Sequence, residues 1–518
     1  MRTPLPRRRA DRRGLRLWPV GTVLVLTFTT ALLVAAAVFY TAWDLLDARG
    51  LKPERHIASS TLFDLVKLSF GVVAGAGALV ALVVAYRRQR VDEDGALREA
   101  TRLHTERFTT AVAQLGEDSA AVRLGGVHAL AGLANDAPTR ELRQTCIDVL
   151  CAYLRLPYTG ETDLSADDMD ARHAYRALRE VRHTVIRLIR DHLRLAPEHP
   201  HSWQGHDFDL TEATFDGGDL TGAVFSGGTV SFTRAFFSGG TADLSEAVFS
   251  GGVVSFRGAF FFGDTADLSG AVISGGTVDF GGAQFSGGDV NFNRAAFTGG
   301  TVSFRGAEFV RGTVSFGRAV FSGSTVDFGR AKITADGALN FFRAEFSGGT
   351  VSFATAVFSG GSAHFGALLH GAALDFTNVR LSDGVLDLSS MELASGTLDF
   401  SHARLAGGIL TFNPSVFSGA AVNFHMAEFV GGTVSFGRGV FAGGDVNFSG
   451  TQFSGSAVDF HMAEFSGGTV SFSGAEFSGS TVDFAGAVGP APAGLVPPQG
   501  APLRTGLILP TTWHPAGS

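Results

Sequence analysis

The sequence predicts a mainly β solenoid that follows an α-helical segment and two N-terminal membrane helices. From Phe208 to Phe484 a large apolar residue returns every twelve positions, and a second such series lies between its members. A fixed period of this size is typical of solenoids, in which each unit buries its apolar side only against its neighbours. The first series begins with Phe225, Phe237, Phe249, Phe261, Ile273, Phe285 and Phe297, each preceded two positions earlier by Ala, and the second begins with Phe232, Leu244, Phe256, Leu268, Phe280, Phe292 and Phe304.

The composition separates the repeat region from the rest of the chain. Of 518 residues, 68 are Gly, 46 are Phe and 5 are Tyr, and all but about five Phe lie at or after Phe208. The formal net charge is -8, and the repeat region is its acidic part, with about 26 Asp and Glu against about 12 Arg and Lys. Cys146 and Cys151 lack the spacing of redox or zinc motifs, so we expect both to be buried apolar residues.

Residues 1–91 are predicted to form a basic N-terminus and a transmembrane hairpin with spans at about 18–43 and 66–86. An arginine-rich segment precedes the first span, which has no charged residue from Val20 to Ala42, and the second span ends at an arginine cluster that begins with Arg87. Because arginines flank the outer ends of both spans, the positive-inside rule predicts a multi-pass protein of the cell membrane. Both termini and the repeat domain would then be cytoplasmic.

Two alternatives concern this N-terminal region. Ala35 to Ala37 supply the small residues of a signal cleavage site, but the first span is longer than the apolar region of a signal peptide, and a second span follows. Gly71 and Gly75 have Gly-x-x-x-Gly spacing, which leaves open both close packing inside the hairpin and a homodimer in the membrane.

Residues 92–200 are predicted to form an α-helical domain. The expected apolar faces are Leu103, Phe108, Val112 and Leu115; then Leu124, Val127, Ala131 and Ala134; then Ile147, Leu150, Cys151 and Leu154. A fourth helix, from Ala166 to Leu195, carries a stripe formed by Arg172, Arg176, Arg179, Arg182, Arg187, Arg190 and Arg194. We expect a solvated face with acidic partners on the same helix, and the alternatives are contact with anionic lipid or with nucleic acid. Direct nucleic-acid binding is not expected, because no stacking aromatic residues or recognition motif accompany the arginines.

Each twelve-residue unit divides into two five-residue blocks and a Gly-containing pair. The blocks read small, polar, large apolar and two polar residues, as in the segment from Ala242 to Glu246 and the segment from Ala266 to Gly270. Over about 280 residues this order resembles the pentapeptide repeat family, although most blocks have Phe for Leu and Val for the leading Ala. Residues 107–155 also resemble the helical segment that precedes such repeats in membrane-anchored bacterial, especially actinobacterial, members.

The resemblance implies a right-handed quadrilateral β-helix over residues 201–488, with each block centre and the residue two before it pointing inward. A coil of two units, about 24 residues and four sides, has room for the Phe side chains, whereas twelve residues do not. At about 4.8 Å per coil this gives about twelve coils, with Gly pairs at corners. One residue is gained between Ile333 and Phe341 and one is lost near Leu368, which predicts a bulge or a bend. The Pro- and Gly-rich tail, 489–518, is expected to be disordered or draped over the last coil.

The sequence predicts no catalytic, cofactor-binding or metal-binding residue and no cofactor, so we expect no enzyme. Gly-rich runs lack the lysine of phosphate loops, and no histidine is placed to activate the many Ser and Asp residues. The repeat histidines are not in metal-ligand spacing. They are His364, His370, His402, His425 and His461.

Three non-enzymatic functions follow from the repeat. The first is a membrane-tethered scaffold that binds an unknown protein partner through the faces of the rod. The second is DNA mimicry, which the resemblance adds through the family's gyrase-inhibiting members that protect against quinolones. Acidic residues favour mimicry, whereas scattered arginines and the membrane tether oppose it. Ice binding through Thr229, Thr241, Thr265 and Thr277 is discounted, because no wide flat Thr array is expected. Mimicry requires one continuous negative stripe, and a scaffold does not.

Overall fold

The computed structural model describes residues 20–45, 58–161, 164–165, 167–262, 266–496 and 503–514. The arginine-rich N-terminus and most of the polar loop between the predicted membrane spans lie outside the described residues. The chain divides into two compact units, Met1–Leu103 and His104–Ser518.

Helices occupy both predicted membrane spans. Helix α1 covers Val20–Leu45, and helix α2 covers Ser59–Leu115. By length and composition, α2 is the one helix in the described part of the chain that qualifies as a candidate span, and the two-span hairpin stays a prediction. Helix α2 starts earlier than predicted and continues through the arginine cluster and residue 91. Residues 87–115 contain no proline and only Gly95, so nothing ends the helix before Gly116.

Three further helices follow: α3 (Ala120–Asn135), α4 (Arg140–Arg155) and α5 (Met169–Leu193). The hydroxyl of Thr139 accepts a hydrogen bond from the amide of Leu142 and so caps α4. The last turns of α2 bury His104, Ala111 and Leu115, whereas Leu103 and Val112 of the predicted face are exposed. Of these, Ala111 and Leu115 lie where the helix packs against α3. The two helices are so close there that a Cβ at Gly126 would lie 2.8 Å from the backbone nitrogen of Leu115.

The repeat region is a parallel β-solenoid of about twelve coils. Its described strands form two sheets. The first sheet contains Phe208–Asp209, Val224–Phe225, Thr229–Ser231, Val248–Phe249, Val253–Ser255, Val272–Ile273, Thr277–Asp279, Ala296–Phe297, Thr301–Ser303, Val320–Asp327, Glu345–Ser352, Leu368–Asp375, Glu392–Asp399, Val416–Asn423, Val440–Asn447, Glu464–Phe465 and Thr469–Ser471. The second contains Thr214–Phe215, Gly218–Asp219, Phe236–Ser238, Ala242–Asp243, Phe260–Phe262, Ala266–Asp267, Gln284–Ser286, Val290–Asn291, Glu308–Ser315, Lys332–Asn340, Val357–His364, Arg380–Asp387, Arg404–Leu405, Ile409–Thr411, Glu428–Phe429, Thr433–Ser435, Gln452–Phe453, Ala457–Asp459, Glu476–Phe477, Thr481–Asp483 and Leu507–Ile508.

Strand register confirms a coil of two twelve-residue units. Val248 pairs with Val272, and Thr277 pairs with Thr301, each 24 positions further along the chain. We number the sides of a coil by the blocks that form them, with 230–234 as side 1, 235–239 as side 2, 242–246 as side 3 and 247–251 as side 4. The first sheet joins sides 4 and 1, and the second sheet joins sides 2 and 3.

Stacked phenylalanines fill the interior of the rod. On side 1 the first block centre is Leu210 and every later one is Phe, and successive rings lie 4.6–5.1 Å apart with interplanar angles of 1–8°. Side 1 and side 3 meet edge to face, as Phe292 and Phe304 do at 6.0 Å and 85°. Both geometries suit the ring quadrupole. The side 1 column is Phe232, Phe256, Phe280, Phe304, Phe328, Phe353, Phe376, Phe400, Phe424, Phe448 and Phe472.

Two kinds of corner turn the chain between sides. At the Gly pairs, neighbouring coils approach so closely that a Cβ at Gly276 would lie 2.6 Å from the carbonyl oxygen of Gly252. At the corners between sides 1 and 2 and between sides 3 and 4, one residue has a positive φ although it is often not Gly. Arginine occupies this position six times, with φ of 54–60°, at Arg234, Arg294, Arg318, Arg330, Arg343 and Arg438. Each left-handed residue costs about 1 kcal/mol, which the stacked coils must offset.

The change of register predicted near Ile333 is a bulge. The strand Lys332–Asn340 holds one extra residue where Arg311 pairs with Asp336, and Ala335 has a φ of 46°. The missing residue lies beyond Phe365, so Phe346 pairs with Leu369 only 23 positions away. The two offsets cancel, and the columns of inward side chains continue.

Part of the tail packs over the last coil, which is one of the two arrangements expected for residues 489–518. Leu507 and Ile508 add a strand beside Val482 and Asp483. The Trp513 ring lies 5.6 Å from Phe465 and 5.7 Å from Phe484, and its indole nitrogen donates to the Gly489 carbonyl at 2.8 Å. The last Phe layer has no following coil, so these tail residues cover apolar surface that would otherwise face water.

Replacing Phe341 by Ala is expected to lower the free energy of unfolding by about 3–5 kcal/mol, because its fully buried ring stacks on Phe316 and Phe365. The matched control is the neighbouring Phe342, whose side chain is 53% exposed and whose loss should cost about 1 kcal/mol or less. Guanidinium unfolding followed by circular dichroism measures both, and equal effects would contradict the inward ladder.

Candidate functional site

A buried carboxylate joins the helical domain to the first coil. Asp216 accepts hydrogen bonds from the Tyr158 hydroxyl at 2.5 Å, the Tyr175 hydroxyl at 2.7 Å and the Arg179 Nε at 3.1 Å. Its other oxygen lies 3.1 Å from the His183 Nε2. We call these five residues the Asp216 cluster. Four of its members come from α5 or the loop before it, and the fifth from the repeat.

The cluster perturbs the ionisation of its members. Burial alone would raise the pKa of Asp216, but hydrogen bonds from His183, Tyr158 and Tyr175 outweigh it and hold the pKa well below its usual range. Burial, followed by the bond to Asp216, raises the pKa of Tyr175 to about 12. The carboxylate therefore stays charged and both phenols stay protonated near neutral pH, as donors to a fixed anion.

The arginine stripe of α5 docks on the repeat, which none of the three sequence-based interpretations anticipated. Arg182 is buried, with its guanidinium 4.2 Å above the Tyr158 ring and a nitrogen 2.5 Å from the Thr214 carbonyl oxygen. Arg190 forms an ion pair with Asp219 on the same coil. The expected solvated pairing holds in part, because Arg187 binds Glu180 on its own helix at 2.7 Å.

One signal in the sequence marks this joint. The first coil is two residues short at the corner that Asp216 occupies, since Thr214 pairs with Phe236 only 22 positions on, whereas Gly218 pairs with Ala242 at 24. Asp216 thus stands where a Gly-containing pair is found in later coils. A charged residue at a shortened corner is the feature that identifies the joint.

A cavity of about 520 Å³ opens beside the cluster. Its lining includes Arg172, Arg179, Asp216 and Glu161, so two positive and two negative side chains face the same space. No residue in this lining is a nucleophile placed next to a general base, and Asp216 is already engaged by four donors. The chemistry of the cluster is that of a structural joint.

Outward side chains of the rod cap its own turns. Asp243 accepts the amide of Ser245 at 2.9 Å, and Asp267 accepts the amide of Ser269 at 2.9 Å. Asn447 does the same for Ser449 at 2.9 Å. These outward side chains therefore satisfy backbone donors at the corners, a role that both Asp and Asn can fill.

The histidines of the repeat do not converge on one site, and the one His–Cys contact among the described residues joins His104 Nε2 to Cys146 Sγ at 3.8 Å inside the helical domain. His425 and His461 follow block centres on sides 1 and 3, so they lie at different corners of the rod. His364 lies 3.2 Å from Asp387, as an isolated pair. Among the residues that the structure describes, no three His, Cys, Asp or Glu side chains converge as metal ligands. Burial raises the pKa of Cys146 to about 11 and that of Cys151 to about 12, so both thiols stay protonated.

Comparison with known proteins gives one finding. A family model described as pentapeptide repeats (9 copies) matches residues 210–259 and 262–308. The chain is similar to that family over these residues, which form the first coils of the solenoid. No curated protein and no solved structure matches the chain.

Replacing Asp216 by Asn is expected to weaken the joint by about 2–3 kcal/mol, because a buried network of donors loses its anion. Hydrogen exchange of the α5 amides in the full chain should report this loss. The matched control is Asp209→Asn, which removes a half-exposed ion pair with Arg155 and should cost about 1 kcal/mol or less. Equal protection of α5 in wild type and Asp216→Asn would contradict the role of the joint.

Proposed function

We propose that the protein is a non-enzymatic, membrane-tethered scaffold whose cytoplasmic rod presents repeated faces to a protein partner. The observation that carries the proposal is the solenoid itself, whose interior is filled with Phe and whose outward positions change from coil to coil. A nearest-neighbour fold of this kind offers a long surface without a reaction centre. The right-handed, four-sided winding implied by the family resemblance is part of the proposal.

The membrane tether is supported by helices α1 and α2. Both line one cavity of about 320 Å³, with Val25 and Phe28 on α1 and Ala76, Leu79 and Val83 on α2. Other large apolar side chains of the same helices point away into the surroundings. Examples are Leu33, Phe39, Leu68, Phe70 and Leu82, each more than 60% exposed. Apolar surface on this scale, in helices of this length, suits a lipid environment.

The arrangement of charge weighs against DNA mimicry. On side 3 the run Asp219, Asp243 and Asp267 is followed by Asn291, Ser315 and Asn340. Asp219 is neutralised by Arg190. Along side 1, Ser separates most of the Asp residues. A continuous negative stripe, which mimicry of duplex phosphates requires, does not run along either ladder in the described coils.

The C-terminus is expected in the cytoplasm. A fluorescent protein fused after Ser518 should fluoresce, and alkaline phosphatase fused there should be inactive. Phe70→Asp with Leu82→Asp should reverse both signals, because each charge in the second span costs about 3 kcal/mol and prevents its insertion. The matched control, Leu97→Asp on the same helix beyond the arginine cluster, should leave them unchanged. An active phosphatase on the wild-type chain would refute the topology.

The scaffold proposal and mimicry differ in their effect on DNA gyrase. The full chain in detergent is expected to leave gyrase supercoiling unchanged at micromolar concentration, since the negative ladders are interrupted. A gyrase-inhibiting pentapeptide repeat protein serves as the positive control. Inhibition as strong as that of the control protein would contradict the scaffold proposal and support DNA mimicry.

A further inference from the structure

Side 4 of the first five coils is an uncharged apolar surface. Its outward residues Val224, Val248, Val272, Ala296 and Val320 pair in successive coils and are each half-buried. At about 4.8 Å per coil the stripe is about 24 Å long. From the sixth coil charges interrupt the apolar series, and the same position holds Glu345, Leu368, Glu392, Val416, Val440 and Glu464 in turn. We call the five-coil stripe the valine face.

The corner beside the valine face carries charges in a fixed order. In the second coil it presents Glu246, with Asp243 next to it on side 3, and in the third coil Asp267 is the nearest charge. In the next three coils the corner position is Arg294, then Arg318, then Arg343. Backbone bonds from Arg294 to Gly317 and from Arg318 to Phe342 stack these corners directly on one another. The opposite edge of the valine face, at the Gly pairs, has no charged residue in these coils.

These corner charges have no ion-pair partner among the residues that the structure describes. Glu246, Arg294, Arg318 and Arg343 are exposed, and none is in an ion pair with another described residue. On the rest of the rod, the corner residue Arg234 pairs with Glu212, whereas the corner residues Arg330 and Arg438 also have no ion pair among the described residues. Three stacked like charges repel one another, so their position favours a partner that carries carboxylates at the same spacing.

We propose that the valine face and its charged corner form an interface with a second copy of this chain, with the two rods antiparallel. The two copies are related by a two-fold axis that lies in the plane of the face and runs perpendicular to the rods. This axis places the charged corners of both copies along the same edge and reverses the order of the coils. With the axis between the third and fourth coils, Asp267 faces Arg294 of the other copy and Glu246 faces Arg318. On the valine face Val272 then faces Ala296 of the other copy, Val248 faces Val320, and Val224 faces Glu345 at the margin of the contact.

The second copy is the occupant that these observations favour. One surface carries both the acidic and the basic half of the pattern, and both halves share the repeat distance of the rod, so the surface is complementary to itself. A parallel arrangement would set the charged corner against the uncharged Gly edge and leave every charge unpaired. The inference does not depend on the membrane tether, since no residue before Asp219 takes part.

Cross-linking in native membranes tests the interface. One tagged copy carries Val272→Cys and a differently tagged copy carries Ala296→Cys, which face each other across the two-fold axis. The native cysteines are buried, and their raised pKa values keep them unreactive. A short bis-maleimide should join the two tags at least about tenfold more than in the control pair Gln284→Cys and Glu308→Cys, which lie in adjacent coils on side 2. Cross-linking no greater than in the control would overturn the proposal.

Charge exchange distinguishes a second copy from a foreign partner. Arg318→Glu and Glu246→Arg should each lower cross-linking about tenfold or more, because like charges then meet at two symmetric positions. The double variant Glu246→Arg with Arg318→Glu, present in both copies, should restore it. Arg330→Glu, at an equivalent corner position between sides 1 and 2, should change nothing. Failure of the double variant to restore cross-linking, or equal effects of Arg318→Glu and Arg330→Glu, would refute self-association through this face.

Discussion

Stacking of aromatic rings between successive coils is the interaction on which the rest of the structure depends. A single coil cannot bury its own Phe side chains, so each layer is stabilised only by the layers on either side. The first and last layers have a neighbouring coil on one side only, so other parts of the chain must cover their exposed apolar surface. At the first coil α5 provides one through Asp216 and Arg182, and at the last coil Trp513 provides the other. The helical domain and the tail are therefore parts of the same fold.

The repeat itself could be predicted, because its period of inward residues appears directly in the sequence. Phe232 and Phe256 stack as the period requires, and the extra residue after Ile333 forms a bulge. Features that depend on tertiary partners could not be predicted in the same way. Helix α2 runs through an arginine cluster because nothing interrupts its backbone, and Arg182 is buried because Tyr158 and Thr214 receive it. No single-residue propensity encodes such pairings.

The sequence alone also did not distinguish the charges that stabilise the fold from the charges that are available to bind a partner. The acidic residues of the rod favoured mimicry of DNA, yet Asp243 and Asp267 each use one carboxylate oxygen to accept a backbone amide at a turn. Asp216 was not singled out by the block pattern and is the most strongly engaged carboxylate of the joint. Corner arginines such as Arg318 emerge as exposed charges only when the left-handed backbone at each corner is known. The surface chemistry of the rod thus follows from its turns.

A crystal structure of the full chain is the most direct test of the aromatic interior. The rings from Phe232 to Phe472 on side 1 are expected to lie 4.6–5.1 Å from the next ring in the column, with most neighbours 24 positions apart in the sequence. These rings are also expected to be closed off from solvent along the whole rod. A globular sandwich of antiparallel strands, or a column of rings open to water, would contradict it.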